Sequence, residues 1–279
     1  MPEQHTEFIE SKDGTQLFCR MLAHPEAPAS LLFVHGFGEH SGRYTHVLEW
    51  FFARGFDVAA FDYRGHGRAQ GRRGHVSSFR RYNDDVDAFI RWAMSRATGD
   101  RRLYLVGHSL GGLISAGYVL EQPEGIDGLI LSSPFLGLKM KVPPAKMAVA
   151  RLLSRVAPVL TLPTNIPAEL LSTDPEVGKA YMADPLNGFV ASTRWVTEVQ
   201  AWQQHVLRSA GKIRTPTLLL QAGDDRIADP DTSQAFLAAL GSADKEMQWY
   251  DGLYHELFNE KDKETVFQDL LAWLEKHVR

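Results

Sequence analysis

The pentapeptide Gly107-His108-Ser109-Leu110-Gly111 constrains the fold of this chain more than any other stretch. Before it stands Leu103-Tyr104-Leu105-Val106, an apolar run with the length and residue types of a buried strand. After it, Leu110, Leu113, Ile114, Gly117, Val119 and Leu120 suit a buried helix better than an alternating strand. The order is strand, sharp turn, helix, with a serine at the tip. Such a turn holds its serine in a strained backbone conformation that only small neighbours allow. Gly107 and Gly111 flank it, and Gly112 lets the helix approach the strand. The hydroxyl is then presented at the carboxyl end of a sheet, where open α/β folds bind ligands. The pentapeptide alone would equally fit an ordinary turn with a capping serine. The flanking elements, and the partner residues found further on, favour catalysis.

The rest of the chain repeats that alternation. Residues 6–10 and 16–22 read as a hairpin turning at Asp13-Gly14. Strands are expected at 31–34, 57–61, 126–131, 216–221 and 246–250, and helices at 47–52, 82–94, 231–240 and from about 264. This predicts an α/β fold, a mostly parallel sheet covered by helices on both faces. Residues 135–210 break the rhythm, with seven prolines and no clear buried strand. Within them Val149, Leu152, Leu153, Val156, Val159 and Leu160 recur at helical spacing. The expected organisation is a core of residues 1–134 and 211–279 interrupted by a helical cap, 135–210. The cap's apolar face would pack on the core, line the route to the serine or touch lipid.

Composition narrows the partners. A net charge of −4 gives no basic surface for nucleic acid. The lone Cys19 excludes an intrachain disulfide and permits a reducing compartment. No signal-like N-terminus or membrane-spanning apolar stretch is present. The expectation is a cytoplasmic protein, with peripheral membrane contact through the cap left open. His35, His40, His66 and His75 lack metal-ligand spacing, so neither metal nor cofactor is expected.

A serine hydroxyl needs a base to take its proton, and the base needs a third group to fix its tautomer. In this kind of fold the chain order is nucleophile, acid, histidine. The acids directly after the 216–221 strand are Asp224 and Asp225. Asp225 is preferred, with Asp224 the second choice; Asp224, Asp229 and Asp231 also suit turn formation and helix capping. Of His205, His255 and His277, only His255 follows a strand by a short loop at the serine's edge of the sheet. The negative charge of a tetrahedral intermediate calls for two backbone N–H donors. Leu110, first residue of the helix, supplies one, and Phe37 in His35-Gly36-Phe37-Gly38 is the best candidate for the other. Glu39 and Arg43 follow that loop. They would either bind a polar alcohol or pair with each other to hold the loop.

Together these residues resemble the α/β-hydrolase superfamily and, more narrowly, its monoacylglycerol lipase and lysophospholipase family. The resemblance rests on residues 35–44, Asp62-Tyr63-Arg64-Gly65-His66-Gly67, residues 107–112, residues 223–229 and Tyr254-His255-Glu256. It spans nearly the whole chain outside the cap. It implies Asp225 as the acid and a cap that guides a lipid chain to the serine. Two departures concern recognition of the alcohol: Ala69 stands where members often have Ser, and Phe258 where some animal members have a second histidine. The implied activity is cofactor-independent hydrolysis of a single-chain lipid ester, monoacylglycerol foremost, through an acyl-enzyme on Ser109. Lysophospholipase, thioesterase and general carboxylesterase are the alternatives within that chemistry. A catalytically dead binding protein on the same fold is the alternative outside it.

Overall fold

The computed structural model describes residues 4–97, 99, 101–139, 144–164 and 166–278. Strands β1 (His5–Glu10) and β2 (Gln16–Leu22) form the hairpin, with Gly14 at φ 81° in its turn. Then come β3 (Ala29–Val34), α1 (Thr45–Phe52), β4 (Asp57–Asp62), α2 (Arg80–Met94), β5 (Arg102–His108), α3 (Leu110–Glu121) and β6 (Gly128–Ser132). After β6 the chain leaves the sheet through α4 (Pro144–Val156), β7 (Thr161–Pro163), α5 (Pro175–Ala183), β8 (Val190–Ser192) and α6 (Thr193–Ser209). It returns with β9 (Thr217–Ala222), α7 (Pro230–Ala239), β10 (Lys245–Tyr250) and α8 (Lys263–His277). The eight-stranded sheet runs β1-β2-β4-β3-β5-β6-β9-β10. The pairings of β2 with β1 and β4 are antiparallel and the rest parallel.

The apolar strands are buried on both faces, and their residues alternate between two cores. In β3, Leu31 and Phe33 join Leu48, Phe51, Leu270 and Trp273 on one face. Leu32 and Val34 join Phe89, Leu113 and Ile114 on the other. Cutting a fully buried leucine such as Leu32 back to Ala would cost about 2–5 kcal/mol. This packing fixes the central β5 between β3 and β6, so its carboxyl end is a rigid platform.

The excursion between β6 and β9 differs from the expectation in two ways. The helix ends at Val156 rather than running to Leu160. Pro158 has no N–H to continue the ladder and disfavours helical backbone at Ala157. Beyond it, β7 and β8 pair as a short antiparallel ribbon that no apolar run announced. Helix α4 lies against α6, with the Ser154 and Thr197 hydroxyls 2.8 Å apart. Its apolar residues Val149, Leu152 and Val156 face solvent, Val156 at 70% exposure, so this face does not pack on the core. Among the described residues no helix is long and apolar enough to cross a membrane.

Candidate active site

Ser109 stands between the last residue of β5 and the first of α3, at φ 51° and ψ −117°. A non-glycine residue in such a region costs about 1–3 kcal/mol and persists only where its surroundings over-determine it. Here they do. Its N–H donates to the Ser132 carbonyl at 3.0 Å, and its own carbonyl accepts from Phe135 N–H at 2.8 Å. The neighbouring glycines are required by space. A Cβ on Gly111 would come within 2.0 Å of the Val34 carbonyl oxygen, and one on Gly107 within 2.4 Å of the Gly111 oxygen.

The residues that chain order singled out meet at this point. His255, in the loop after β10, lies with Nε2 2.8 Å from Ser109 Oγ. Its Nδ1 is 2.7 Å from Asp225 Oδ2. A carboxylate only accepts, so Nδ1 carries the proton and Nε2 is free to accept from the serine hydroxyl. The other oxygen, Asp225 Oδ1, accepts from the N–H groups of Ile227 and Ala228 at 2.8 and 3.0 Å. All three side chains are buried, Ser109 at 7% exposure. Burial by itself would lower the His255 pKa. The charge and hydrogen bond of Asp225, helped by Glu256 and Glu39, outweigh it and leave the pKa raised. Asp224 is exposed, and its N–H donates to the Leu253 carbonyl at 3.1 Å. His205 sits 3.6 Å from Glu121, and His277 2.8 Å from Asp244, both away from the serine. Asp229 occupies the N-cap position of α7 and accepts from the Thr232 hydroxyl at 2.6 Å.

The loop after β3 runs directly against the serine. A Cβ on Gly36 would lie 3.2 Å from Ser109 Cβ. Phe37 follows, its ring 4.3 Å from that of Trp195 in α6. Leu110 begins α3, so its N–H has no carbonyl one turn back to bond and points with the helix dipole. A carbonyl oxygen beside Ser109 would thus have the Phe37 loop on one side and a helix N-terminus on the other.

Glu39 and Arg43 are brought together, and a third residue closes the group. Glu39 Oε1 accepts from Gly36 N–H at 2.5 Å and Tyr44 O–H at 2.8 Å, and Oε2 accepts from Arg43 at 2.7 Å. Arg43 also donates to both oxygens of Glu256, each at 2.7 Å. Its guanidinium lies over the Tyr181 ring of α5, 5.1 Å from the centroid. Glu39 and Glu256 are both buried. Burial opposes the Glu256 charge, but the paired Arg43 holds its carboxyl below the usual range. Burial and the Glu256 charge together raise Glu39 despite Arg43. In the sequence Glu256 stands out only as part of the tripeptide Tyr254-His255-Glu256. Its adjacency to His255 was visible; its bond to a residue 213 positions away was not.

Three further histidines line the neighbourhood. Burial pushes His35, His66 and His108 each down to about 3, so they are neutral. His108 lies against His255, ring centroids 4.9 Å apart, and His35 stacks on Tyr63 at 4.1 Å. Among the described residues no group of three His, Cys, Asp or Glu side chains is disposed to hold a metal ion.

Residues 25–262 match the family described as serine aminopeptidase, S33. The chain is 32% identical over 252 residues to phospholipase YtpA of Bacillus subtilis, covering 90% of this chain and 96% of that protein. It is 32% identical over 249 residues to the monoacylglycerol lipase of Mycolicibacterium smegmatis, 89% of this chain and 88% of that one. The crystal structure of the Paleococcus ferrophilus monoacylglycerol lipase matches with a TM-score of 0.86 and 34% identity, over 94% of this chain and 99% of its own. Such likeness along nearly the whole length, on the same sheet and helices, makes this chain a member of the α/β-hydrolase superfamily and, within it, of the monoacylglycerol lipase family of serine ester hydrolases.

Proposed function

We propose that the chain hydrolyses esters of single-chain lipids, monoacylglycerol foremost, through an acyl-enzyme on Ser109. The observation that carries this reading is the hydrogen-bonded line Asp225–His255–Ser109, buried beside a helix N-terminus. His255 Nε2 takes the hydroxyl proton as Ser109 Oγ attacks the ester carbonyl. Phe37 and Leu110 N–H groups hold the resulting oxyanion. The imidazolium, stabilised by Asp225, then protonates the departing alcohol. Water, activated by the same histidine, releases the fatty acid. No cofactor is needed for these steps.

Residues 135–210 act as a cap in this reading, with 1–134 and 211–279 as the core. Several contacts support it, all at the serine's end of the sheet. Gly188 N–H donates to the Gly38 carbonyl at 2.9 Å, and His40 Nε2 is 2.9 Å from Asp184. The exposed Val149, Leu152 and Val156 give the cap an outer face suited to a lipid surface. Each methylene of an acyl chain withdrawn from water contributes about 0.8 kcal/mol, which favours long chains. Arg43 directs its charge to Glu39 and Glu256, which supports bracing of the Phe37 loop over contact with glycerol hydroxyls.

A covered serine with one acyl route admits one chain and a small head group. Turnover should therefore be far higher on monoacylglycerol than on triacylglycerol, measured with both dispersed in the same detergent. Equal rates would contradict a covered site. The phospholipase among the relatives favours a second reading, lysophospholipid hydrolysis. A lysophosphatidylcholine arm that outpaces monoacylglycerol would select it.

A further inference from the structure

The carboxylate of Glu260 is fully buried and gathers its donors from two separate parts of the chain. Tyr254 N–H donates to Oε1 at 2.7 Å. Thr173 N–H lies 3.0 Å from both oxygens. The hydroxyls of Ser172 and Thr173 donate to Oε2 at 2.8 and 2.5 Å. Ser172 Oγ in turn accepts from Asp174 N–H at 3.0 Å. On the other side of the base, Glu256 N–H donates to the Leu171 carbonyl at 2.7 Å. The residues on either side of His255 are thus both bonded to residues 171–173, one through Glu260 and one directly. Leu171 also packs with Ile227, whose N–H donates to Asp225 Oδ1. One three-residue segment between β6 and β9 therefore touches the loop of the base and the loop of the acid.

We propose that Glu260 is a positioning residue for His255, joining residues 171–173 to the base loop so that the imidazole stays in line with Ser109 and Asp225. This rests on the reading of those three residues as the reacting group. The physical need is plain. Nε2 and Nδ1 make bonds of 2.8 and 2.7 Å in opposite directions, and both fail if the His255 backbone shifts. A buried carboxylate is suited to the task because every group around it is a donor. An amide in its place would turn an N–H₂ group toward the Thr173 N–H, which faces both oxygen positions, and on one side toward the Tyr254 N–H, while the hydroxyls of Ser172 and Thr173 could rotate to accept. Those two N–H groups would separate from it, and the base loop would keep only the direct bond from Glu256 N–H to the Leu171 carbonyl.

The test uses the full chain with Glu260→Gln and, separately, the milder double change Ser172→Ala with Thr173→Val. For each, kcat and KM are measured below the melting midpoint. The far-downfield proton resonance of a His255 Nδ1–H bonded to Asp225 is recorded alongside. Misplacement of a reacting group by about an ångström costs on the order of a hundredfold, so Glu260→Gln should lower kcat by about that factor. KM should stay near the wild-type value, and the resonance should weaken or vanish. The double variant should lose less, in the same direction. A folded Glu260→Gln protein with wild-type kcat and an intact resonance overturns the proposal. Should Glu260→Gln fail to fold, wild-type kcat and an intact resonance in the double variant overturn it instead. Ser109→Ala separates the two levels. Turnover surviving that change removes the triad reading itself, whereas its loss beside an unaffected Glu260→Gln removes only the role of Glu260.

Discussion

Two adjacent carboxylates, Asp224 and Asp225, have opposite surroundings. Asp225 is buried and divides its oxygens between two backbone N–H groups and His255, while Asp224 is exposed. An amide at 225 can present an N–H to His255 and stabilise the wrong tautomer. Asp225→Asn should therefore lower kcat by roughly a thousandfold or more, with Asp224→Asn close to wild type. Steady-state rates on a soluble ester, with circular dichroism as the check on folding, decide this. The larger loss at Asp224 in a folded protein would reverse the assignment. Ser109, His255 and the pair Asp224-Asp225 could be picked from the sequence because parallel strands deliver their carboxyl ends to one edge, so chain order stands in for distance. Chain order does not separate two adjacent acids, and the family resemblance supports Asp225. Glu256 and Glu260 could not be picked this way. Their partners are Arg43 and residues 172–173, and nothing in local spacing joins residues so far apart.

At the scale of elements, strands buried on both faces were the easiest to read. The continuous apolar runs in β3, β5 and β9 admit few other structures. The ribbon of β7 and β8 was not legible, because each strand has only three residues and β7 ends in Pro163. The orientation of α4 was likewise hidden, since periodicity reveals an apolar face but not what it meets. With that face in solvent, Leu152→Asp combined with Val156→Asp should cost little stability, about half a kcal/mol or less at each site. The same change should depress hydrolysis of long-chain esters presented on vesicles or micelles and spare butyrate esters in solution. Equal losses on both would mean the helix matters only for folding. Unchanged long-chain rates would remove lipid contact from its role.

At the scale of the whole molecule, the buried histidines contribute a pH dependence of stability. His35, His66 and His108 titrate at about 3 in the folded chain, against about 6.5 when unfolded. The unfolded chain thus binds more protons between those values. The stability these three contribute is complete above about pH 6.5 and is lost as pH falls toward 3, by up to about 1.4 kcal/mol per pH unit for each. His255 acts in a different window, because its pKa is raised: the stability it contributes is complete below about pH 6.5 and is lost as pH rises above that value. Urea unfolding should show a clear fall in stability from about pH 7 to about pH 5, and His66→Gln should flatten it. A flat profile in the parent protein would mean that these rings reach solvent.

Every step of the proposed chemistry passes through one oxygen atom. Intact-protein mass spectrometry after brief exposure to a fluorophosphonate, followed by peptide mapping, reads that atom directly. A single adduct is expected on Ser109, forming much more slowly in His255→Ala and absent in Ser109→Ala, with ester turnover lost in step. An adduct elsewhere in the chain, or ester hydrolysis that survives Ser109→Ala, would contradict it.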